Sequence, residues 1–271
     1  MTDYIIKRQN GMAWIEFPIL SQFPELVHFS SLRMGGVSNH PQASLNMGFV
    51  RTDFTNNVIE NRKSIAKVLN ISIENMIFSR QTHSDHISIV TKEDKGKGVF
   101  YKPTAIQNND GYIVSEREIC PVVLTADCVP VFLYDPIQKI AAVVHSGWRG
   151  TVEHISAKAA KKMILLGSQA LNIVAAIGPS AGSCCYNVGY DVYNAFLDAY
   201  GNAALNFFSS TTPPFTIDLW KAIRLSLTNE GILNKNIAQT NLCTICNPHL
   251  FFSSRNNKGM TGRMASGIMI R

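Results

Sequence analysis

Apolar residues of this chain fall into short runs separated by polar turns, and the first kind of run is continuous. Residues 122–124, 129–133, 140–144 and 173–177 carry no polar side chain. A strand that is covered on both faces is apolar throughout, whereas a half-exposed strand alternates between apolar and polar positions. These runs therefore predict buried central strands.

A second kind of run has helical spacing. Apolar residues share one face over about 57–69, and a helix is also predicted over about 151–166, with Thr151 as its N-cap and Gly167 at its end. Two further helices are predicted over about 190–200 and 217–229.

The mixture of strands and helices predicts an α/β or α+β fold, a mixed-sheet sandwich with flanking helices. No repeat, low-complexity tract or linker interrupts the chain. We therefore expect residues 1–271 to form a single catalytic domain.

Composition narrows the function classes. The formal net charge is +6, but Lys and Arg are spread along the chain without an aromatic-interleaved basic run, so no nucleic-acid partner is expected. Charges interrupt the N-terminal residues, and no stretch approaches the ~20 apolar residues of a membrane span. A cytoplasmic protein is predicted, in which the six cysteines are thiols, thiolates or metal ligands.

Several polar residues interrupt or end the buried runs. They are His83, the pair Asp127-Cys128, and His145. A buried polar group without a partner costs about 1–3 kcal/mol, so each of these needs a hydrogen bond or a metal. Their spacing matches no short zinc-finger pattern. From the residues alone, a hydrogen-bonding role and a metal-binding role both stay open.

Eight short segments of the sequence contain these and further candidate residues. They are residues 31–38 (SLRMGGVS), 44–48 (SLNMG), 81–83 (QTH), 125–130 (TADCVP), 145–150 (HSGWRG), 177–179 (IGP), 185–189 (CYNVG) and 261–266 (TGRMAS). In this order they strongly resemble the laccase-domain, or multicopper polyphenol oxidase-like, family of purine nucleoside phosphorylases. The match runs from about residue 28 to the C-terminus.

The resemblance implies that His83, Cys128 and His145 are zinc ligands. Three protein ligands leave a fourth tetrahedral position open for water or substrate, which is typical of a catalytic zinc. It also implies phosphorolysis of adenosine, inosine, guanosine and methylthioadenosine, with adenosine deamination as a second activity. The expected partners are therefore purine nucleosides and phosphate.

Further residues in these segments are candidates for the reaction. Phosphate needs cationic donors, and Arg33, Asn46, Arg149 and Arg263 lie in polar or glycine-rich segments that can approach a ligand. Arg33 is the first candidate for a catalytic role. Asp127, beside the ligand cysteine, is the candidate for orienting a group or relaying a proton.

Two residues of this chain, Ser146 and Ser254, differ from the family pattern. Ser146 stands where Ala is common, which is a small change. Ser254 stands where Tyr is common, which removes an aromatic ring that could line a pocket and so bears on substrate preference.

Other histidines and cysteines are assigned outside the site. His86 is predicted to point away from His83. Cys243 and Cys246 have metal-ligand spacing, but no further cysteine follows them, so a metal is not predicted there. The adjacent Cys184 and Cys185 are interpreted as packed thiols, with a redox role as the alternative.

Four alternatives to a zinc phosphorylase stay open. A cysteine hydrolase or amidase could use Cys128 as nucleophile and His145 as base. The family resemblance implies peptidoglycan-precursor editing as a further hydrolase function. Copper-dependent phenol oxidation is disfavoured because only seven histidines are present, and copper bound to such a site is expected to be adventitious. A zinc-stabilised binding module would need a fourth ligand from His86, His249 or Cys185.

Overall fold

The computed structural model describes residues 3–271. The strands are β1 (Ile5–Gln9), β2 (Met12–Glu16), β3 (Leu26–Ser31), β4 (Met76–Arg80), β5 (Ile87–Ile89), β6 (Ile106–Gln107), β7 (Gly111–Val114), β8 (Cys120–Thr125), β9 (Val129–Asp135), β10 (Ile140–Ser146), β11 (Val174–Ile177), β12 (Asn187–Val188), β13 (Phe215–Thr216), β14 (Ile237–Gln239) and β15 (Met264–Ile270). The helices are α1 (Pro18–Ser21), α2 (Thr55–Val68), α3 (Trp148–Val152), α4 (Ile155–Leu165), α5 (Tyr190–Tyr200) and α6 (Leu219–Asn229). Short 3₁₀ turns lie at Ile73–Asn75, Lys92–Asp94, Lys102–Thr104, Ala170–Asn172, Gly201–Phe207 and Asn234–Asn236.

Two large mixed sheets form the centre of the fold. The first has the strand order β1-β2-β3-β15-β8-β4-β6, and the second has the order β14-β11-β9-β10-β7-β5. Most neighbours are antiparallel, whereas β4 is parallel to both β8 and β6, β5 to β7, and β14 to β11. The mixed-sheet prediction is therefore confirmed.

The continuous apolar runs are explained by burial on both faces. In β9, Val131 and Leu133 pack toward the helices, while the alternate residues Phe132 and Tyr134 pack between the sheets. Successive side chains of a strand point to opposite faces, so a strand covered on both sides has no polar position. The runs 122–124, 129–133 and 140–144 lie within β8, β9 and β10, and the run 173–177 begins one residue before β11 and ends with it.

Helices cover the outer face of each sheet. Helices α4, α5 and α6 pack on the second sheet, and α2 packs on the first through residues such as Ile65 and Ala66. The predicted sandwich with flanking helices is therefore confirmed, and its two sheets and two helical faces form four layers. None of the helices within residues 3–271 combines the length and the apolar character needed to cross a membrane.

The predicted start of the 151–166 helix is wrong. The segment forms two helices, α3 and α4, separated at His154, whose φ is 56°. Thr151 lies inside α3, where its hydroxyl donates to the carbonyl of Gly147 at 2.9 Å instead of capping a following turn. The predicted end is confirmed, because Gly167 follows the helix with a φ of +107°.

A buried histidine between the sheets makes stability depend on pH. His28 on β3 is 4% exposed, and burial lowers its pKa to about 4. The Phe17 N–H donates to His28 Nε2 at 2.8 Å, a bond that protonation of this nitrogen would break. The unfolded chain therefore binds the extra proton at a higher pH than the folded chain does.

We expect the free energy of unfolding to fall by up to about 3 kcal/mol through His28 as the pH drops from about 6.5 to about 4. Urea titrations of wild type and His28→Gln across this pH range give the free energy of unfolding of each protein. The change of their difference with pH measures the contribution of His28. A His28→Gln protein with the wild-type slope would contradict the assignment.

Candidate metal centre

The end of β10 and the start of β9 place two of the predicted ligands together. These strands are antiparallel neighbours with His145 opposite Pro130, so Cys128, just before β9, lies beside the end of β10. The third candidate, His83, lies in the loop between β4 and β5 and has a φ of 60°. The backbone topology thus gathers three residues that are distant in sequence.

The three ligand atoms of His83, Cys128 and His145 all lie within 4.8 Å of one another. The two imidazole rings are 4.9 Å apart between centroids and are inclined at 75°. Gly147 leaves room for them, because a Cβ there would stand 3.0 Å from Cys128 Sγ and 3.2 Å from His83 Cδ2. Two imidazoles and one thiol converge as they would around a tetrahedral ion such as zinc.

Asp110, which sequence reasoning missed, organises this cluster. It is fully buried just before β7, and its Oδ1 accepts a hydrogen bond from His145 Nδ1 at 2.8 Å. This bond leaves His145 Nε2 free to bind a metal. Asp110 also accepts the backbone N–H groups of Thr82, His83 and Ser84, which fixes the loop that carries His83.

The two histidines of the cluster stabilise the thiolate form of Cys128. Burial would raise the pKa of Cys128, but the charge of His145 and hydrogen bonds from His145 and His83 lower it to about 6. Burial would likewise lower the pKa of His145, but the Cys128 thiolate and Asp110 raise it to about 9. Burial also opposes ionisation of Asp110, yet the hydrogen bonds and charge of His145 hold its pKa well below its ordinary value. A thiolate is the form in which cysteine binds a metal.

A cavity of about 450 Å³ opens over the three ligands, which form part of its wall. Its apolar wall contains residues such as Phe49, Phe78 and Leu124. The cationic residues in its lining are Arg62, Arg80, Lys102 and Arg263, and no acidic residue lines it among the residues that the structure describes. Ser254, the position where the family commonly has Tyr, also lines this cavity.

Of the four predicted phosphate-contacting residues, Arg263 lies in the cavity wall. Its Nη1 donates to the carbonyls of Thr261 and Gly262, and burial lowers its pKa. Buried Asn46 accepts the Arg263 N–H at 2.9 Å and so positions this arginine from behind the wall.

Arg33 and Arg149 lie outside the cavity lining. Arg33 donates to the carbonyls of Ala43 and Pro248, and its guanidinium stacks on Phe252. Exposed Arg149 stacks on Trp148. The predicted substrate contacts of these two arginines stay predictions, while their observed contacts brace loops and the start of α3.

Asp127 makes its contacts away from the cavity. Its carboxylate accepts hydrogen bonds from Thr244 Oγ1 at 2.7 Å, from Ser253 Oγ at 3.1 Å and from the Arg255 N–H at 2.7 Å. Its φ is 93°, an unusual conformation for a residue with a side chain. The predicted proton relay stays a prediction, and the geometry gives Asp127 the role of positioning Cys128.

Arg62 is a second cavity residue that sequence reasoning missed. It lies on the buried face of α2, donates to the carbonyls of Met47, Gly98 and Val99, and stacks on Phe78. Burial lowers its pKa to about 9. Arg62 lies four residues from both Val58 and Ala66, so the sequence places a charged residue on the apolar face of a predicted helix. This placement is the signal in the sequence that could have identified Arg62.

His86 and His249 do not join the cluster of three ligands. His86 is exposed, and its Nδ1 contacts the carbonyl of Asn108 at 3.1 Å. Cys185 belongs to a separate group of cysteines. Among the residues that the structure describes, the cluster therefore contains three side chains that could ligate a metal, His83, Cys128 and His145.

Comparison with known proteins decides the family. The family model for multi-copper polyphenol oxidoreductase laccase matches residues 27–271. The chain belongs to this family. The match confirms the resemblance that the eight sequence segments indicate.

Relatives within the family carry nucleoside-related names. Purine nucleoside phosphorylase YlmD of Bacillus subtilis is 36% identical, over 90% of this chain and 88% of its own length. Adenosine deaminase RL5, from an unknown prokaryotic organism, is 33% identical over 78% of this chain and 81% of its own. The crystal structure of YlmD from Geobacillus stearothermophilus superposes with a TM-score of 0.93 at 31% identity, with full coverage of both chains.

Proposed function

We propose that this protein is a zinc-dependent purine nucleoside phosphorylase acting on adenosine, inosine, guanosine and methylthioadenosine, with adenosine deamination as a second activity. The observation that carries the proposal is one cavity whose wall contains both a three-ligand metal cluster and several cationic side chains. The names of the relatives described above support the same substrate class.

The metal cluster suits a catalytic ion. When bound, zinc supplies a Lewis acid at the cavity wall. Asp110 holds the Nδ1 proton of His145, so His145 presents Nε2 to the ion, and Cys128 presents a thiolate sulfur. Copper could occupy the same nitrogen and sulfur donors, and we assign such binding as adventitious.

Cationic donors in the wall suit phosphate. Arg80 is exposed at the end of β4, and its guanidinium makes no hydrogen bond to the described part of the chain. Arg263 uses Nη1 for carbonyls and keeps Nε and Nη2 for a ligand. Lys102 donates to the carbonyl of Phe49 at 3.3 Å and retains further N–H groups. These three side chains can hold phosphate while one of its oxygens attacks C1′ of the ribose. The glycosidic C1′–N bond breaks, and the base leaves with the bonding electrons and takes up a proton from water.

The apolar part of the wall suits a purine base. Pockets for small molecules combine apolar walls with a few polar groups, and Phe49, Leu124 and Ala126 provide such a wall beside Ser254. A flat heterocycle can pack there while its ribose faces the cationic residues. In this arrangement the cavity holds both reactants of a phosphorolysis.

Product analysis tests the proposal. Metal-loaded protein is incubated with adenosine, inosine or methylthioadenosine, with and without phosphate, and the bases are separated by chromatography. We expect base release that requires phosphate and is lost in His83→Ala and Cys128→Ala. Wild-type protein that releases no base in phosphate, or variants as active as wild type, would reject the assignment.

Ser254 is expected to weaken binding of the base relative to an aromatic residue. In Ser254→Tyr, a ring at the cavity wall adds a stacking surface worth about 1 kcal/mol, which corresponds to an approximately fivefold lower KM for the nucleoside. Steady-state kinetics measure the change, and Ser254→Ala is the control expected to stay near wild type. An unchanged or higher KM in Ser254→Tyr would contradict this placement of the base.

A cysteine hydrolase or amidase is the second candidate, and peptidoglycan-precursor editing belongs to the same class. The favouring observation is that the charge of His145 and hydrogen bonds from both histidines outweigh burial and lower the pKa of Cys128 to about 6. A thiolate beside an imidazolium is the arrangement of a cysteine nucleophile. Activity that survives complete metal removal and is blocked by alkylation of Cys128 would favour this candidate.

A further inference from the structure

Four of the six cysteines meet in a second cluster outside the cavity lining. The sulfur atoms of Cys184, Cys185, Cys243 and Cys246 all lie within 4.8 Å of one another. Cys246 Sγ lies 3.5 Å from Cys184 Sγ and 3.3 Å from Cys185 Sγ. All four are free thiols. The second pair of ligands that the Cys243-x-x-Cys246 spacing requires lies upstream in the sequence.

Two tight turns present the sulfur atoms. The first turn is closed by the N–H groups of Cys185 and Tyr186, which both donate to the carbonyl of Gly182 at 2.9 Å. The second is closed by the N–H of Asn247, which donates to the carbonyl of Cys243 at 3.2 Å. Each turn thus contributes two of the four sulfur atoms that lie within 4.8 Å of one another.

Backbone pairing fixes the two turns side by side. Ser180 and Cys243 form a parallel bridge, in which Ser180 N donates to the Leu242 carbonyl and Thr244 N donates to the Ser180 carbonyl. Gly182 allows the close approach, because a Cβ there would lie 3.2 Å from Cys243 Cβ. The cluster is therefore built by the fold rather than by a chance encounter of mobile side chains.

We propose that Cys184, Cys185, Cys243 and Cys246 bind a second metal ion, a structural zinc held by four thiolates. Zinc–sulfur bonds of about 2.3 Å place tetrahedral sulfur atoms roughly 3.8 Å apart, which this cluster reaches with small side-chain rotations. A spacing of Cys-x-x-Cys is common among structural zinc ligands, and four protein ligands close the coordination shell. The ion displaces the thiol protons when it binds.

Two features favour a metal over a disulfide. Cys246 approaches two sulfur atoms at similar distances, whereas a disulfide joins one pair and leaves the other two thiols without a partner. The Gly182 N–H donates to Cys243 Sγ at 3.3 Å. Such N–H groups stabilise the negative sulfur of a bound thiolate and fix its orientation.

The second cluster is connected to the first one through hydrogen bonds to Asp127. Thr244, between the two cysteines of the second turn, donates its hydroxyl to Asp127, the neighbour of the ligand Cys128. Ala181 N, next to the first turn, donates to the Asp127 carbonyl at 2.9 Å. A metal that fixes both turns therefore fixes the backbone that positions Cys128, which makes its role structural.

Metal content of the full chain tests the inference. Protein expressed with zinc and desalted without chelator is expected to contain two zinc ions per chain by mass spectrometry of the metal. Cys246→Ser, an exposed position, and His83→Ala are each expected to retain one ion. The double variant is expected to retain none, and Cys120→Ala, whose thiol lies in neither cluster, is expected to retain both.

X-ray absorption at the zinc edge identifies the ligands. In His83→Ala/Cys128→Ser protein, the remaining zinc is expected to show four sulfur neighbours at about 2.3 Å. The inference is overturned by equal zinc content in wild type and Cys246→Ser, by nitrogen or oxygen neighbours in the remaining site, or by a disulfide among these cysteines in freshly purified protein. Neither readout uses substrate, so failure of the proposed reaction does not affect it.

Discussion

Cys128→Ser is expected to remove the metal from the cavity and to reduce phosphate-dependent base release by about three orders of magnitude. A serine hydroxyl stays protonated at neutral pH and does not replace a thiolate ligand. Loss of Lewis-acid stabilisation amounts to several kcal/mol, and each 1.36 kcal/mol corresponds to a factor of about ten in rate. Steady-state assays together with metal analysis of the same sample measure both effects.

Cys120→Ala is the matched control for this substitution. Cys120 lies at the start of β8, is fully buried and belongs to neither group of convergent ligands. Its removal is expected to lower stability through a small core cavity while leaving the metal content and the rate per folded molecule unchanged. A Cys128→Ser protein that keeps both its metal and its rate would show that this thiolate is not a ligand.

Asp110→Asn is expected to weaken metal binding by about 10–100-fold. An amide nitrogen replaces one carboxylate oxygen, and a nitrogen that carries hydrogens cannot accept a hydrogen bond. If it faces His145, it forces the imidazole proton onto Nε2 and blocks the ligand position. If it faces the loop, it opposes the N–H groups of Thr82 and Ser84 and displaces His83.

Asp135→Asn separates this effect from a general loss of stability. Asp135 is also fully buried, but it lies at the far end of β9, roughly 20 Å along the strand from Cys128. Its Oδ1 accepts the N–H groups of Ile137 and Gln138. Zinc competition with a chromophoric chelator is expected to show wild-type affinity for this variant. Equal affinities for Asp110→Asn and wild type would contradict the positioning role of Asp110.

The buried strands and the layered fold could be predicted from the sequence because they depend on local periodicity. The run over 129–133 is apolar at every position, which requires cover on both faces, and β9 has it. Thr151 shows where local reasoning fails. Its hydroxyl can serve an N-cap or a carbonyl four residues earlier, and the surrounding fold selects the second partner.

Features of the two sites that depend on long-range contacts could not be predicted from the sequence. Asp110 satisfies the same criterion that indicated His145, a polar residue beside a buried strand, but its partner lies on another strand. The four cysteines come from two turns that a parallel bridge joins, and no local pattern reveals that bridge. Family resemblance supplied the three ligands around the cavity, and it supplied nothing for the second cluster.

Stepwise zinc addition to metal-free protein tests the central claim most directly, with phosphate-dependent release of adenine from adenosine as the readout. Cys246→Ser protein is used so that the cavity is the site that fills, and because the second ion helps to position Cys128, the zinc dependence of the rate is compared within this variant rather than with wild type. We predict negligible activity without zinc and a linear rise that saturates at one ion per chain, while Cys128 becomes protected from alkylation in the same proportion. Full activity in the metal-free protein, or activity that rises while Cys128 remains reactive, would contradict a catalytic metal held by His83, Cys128 and His145.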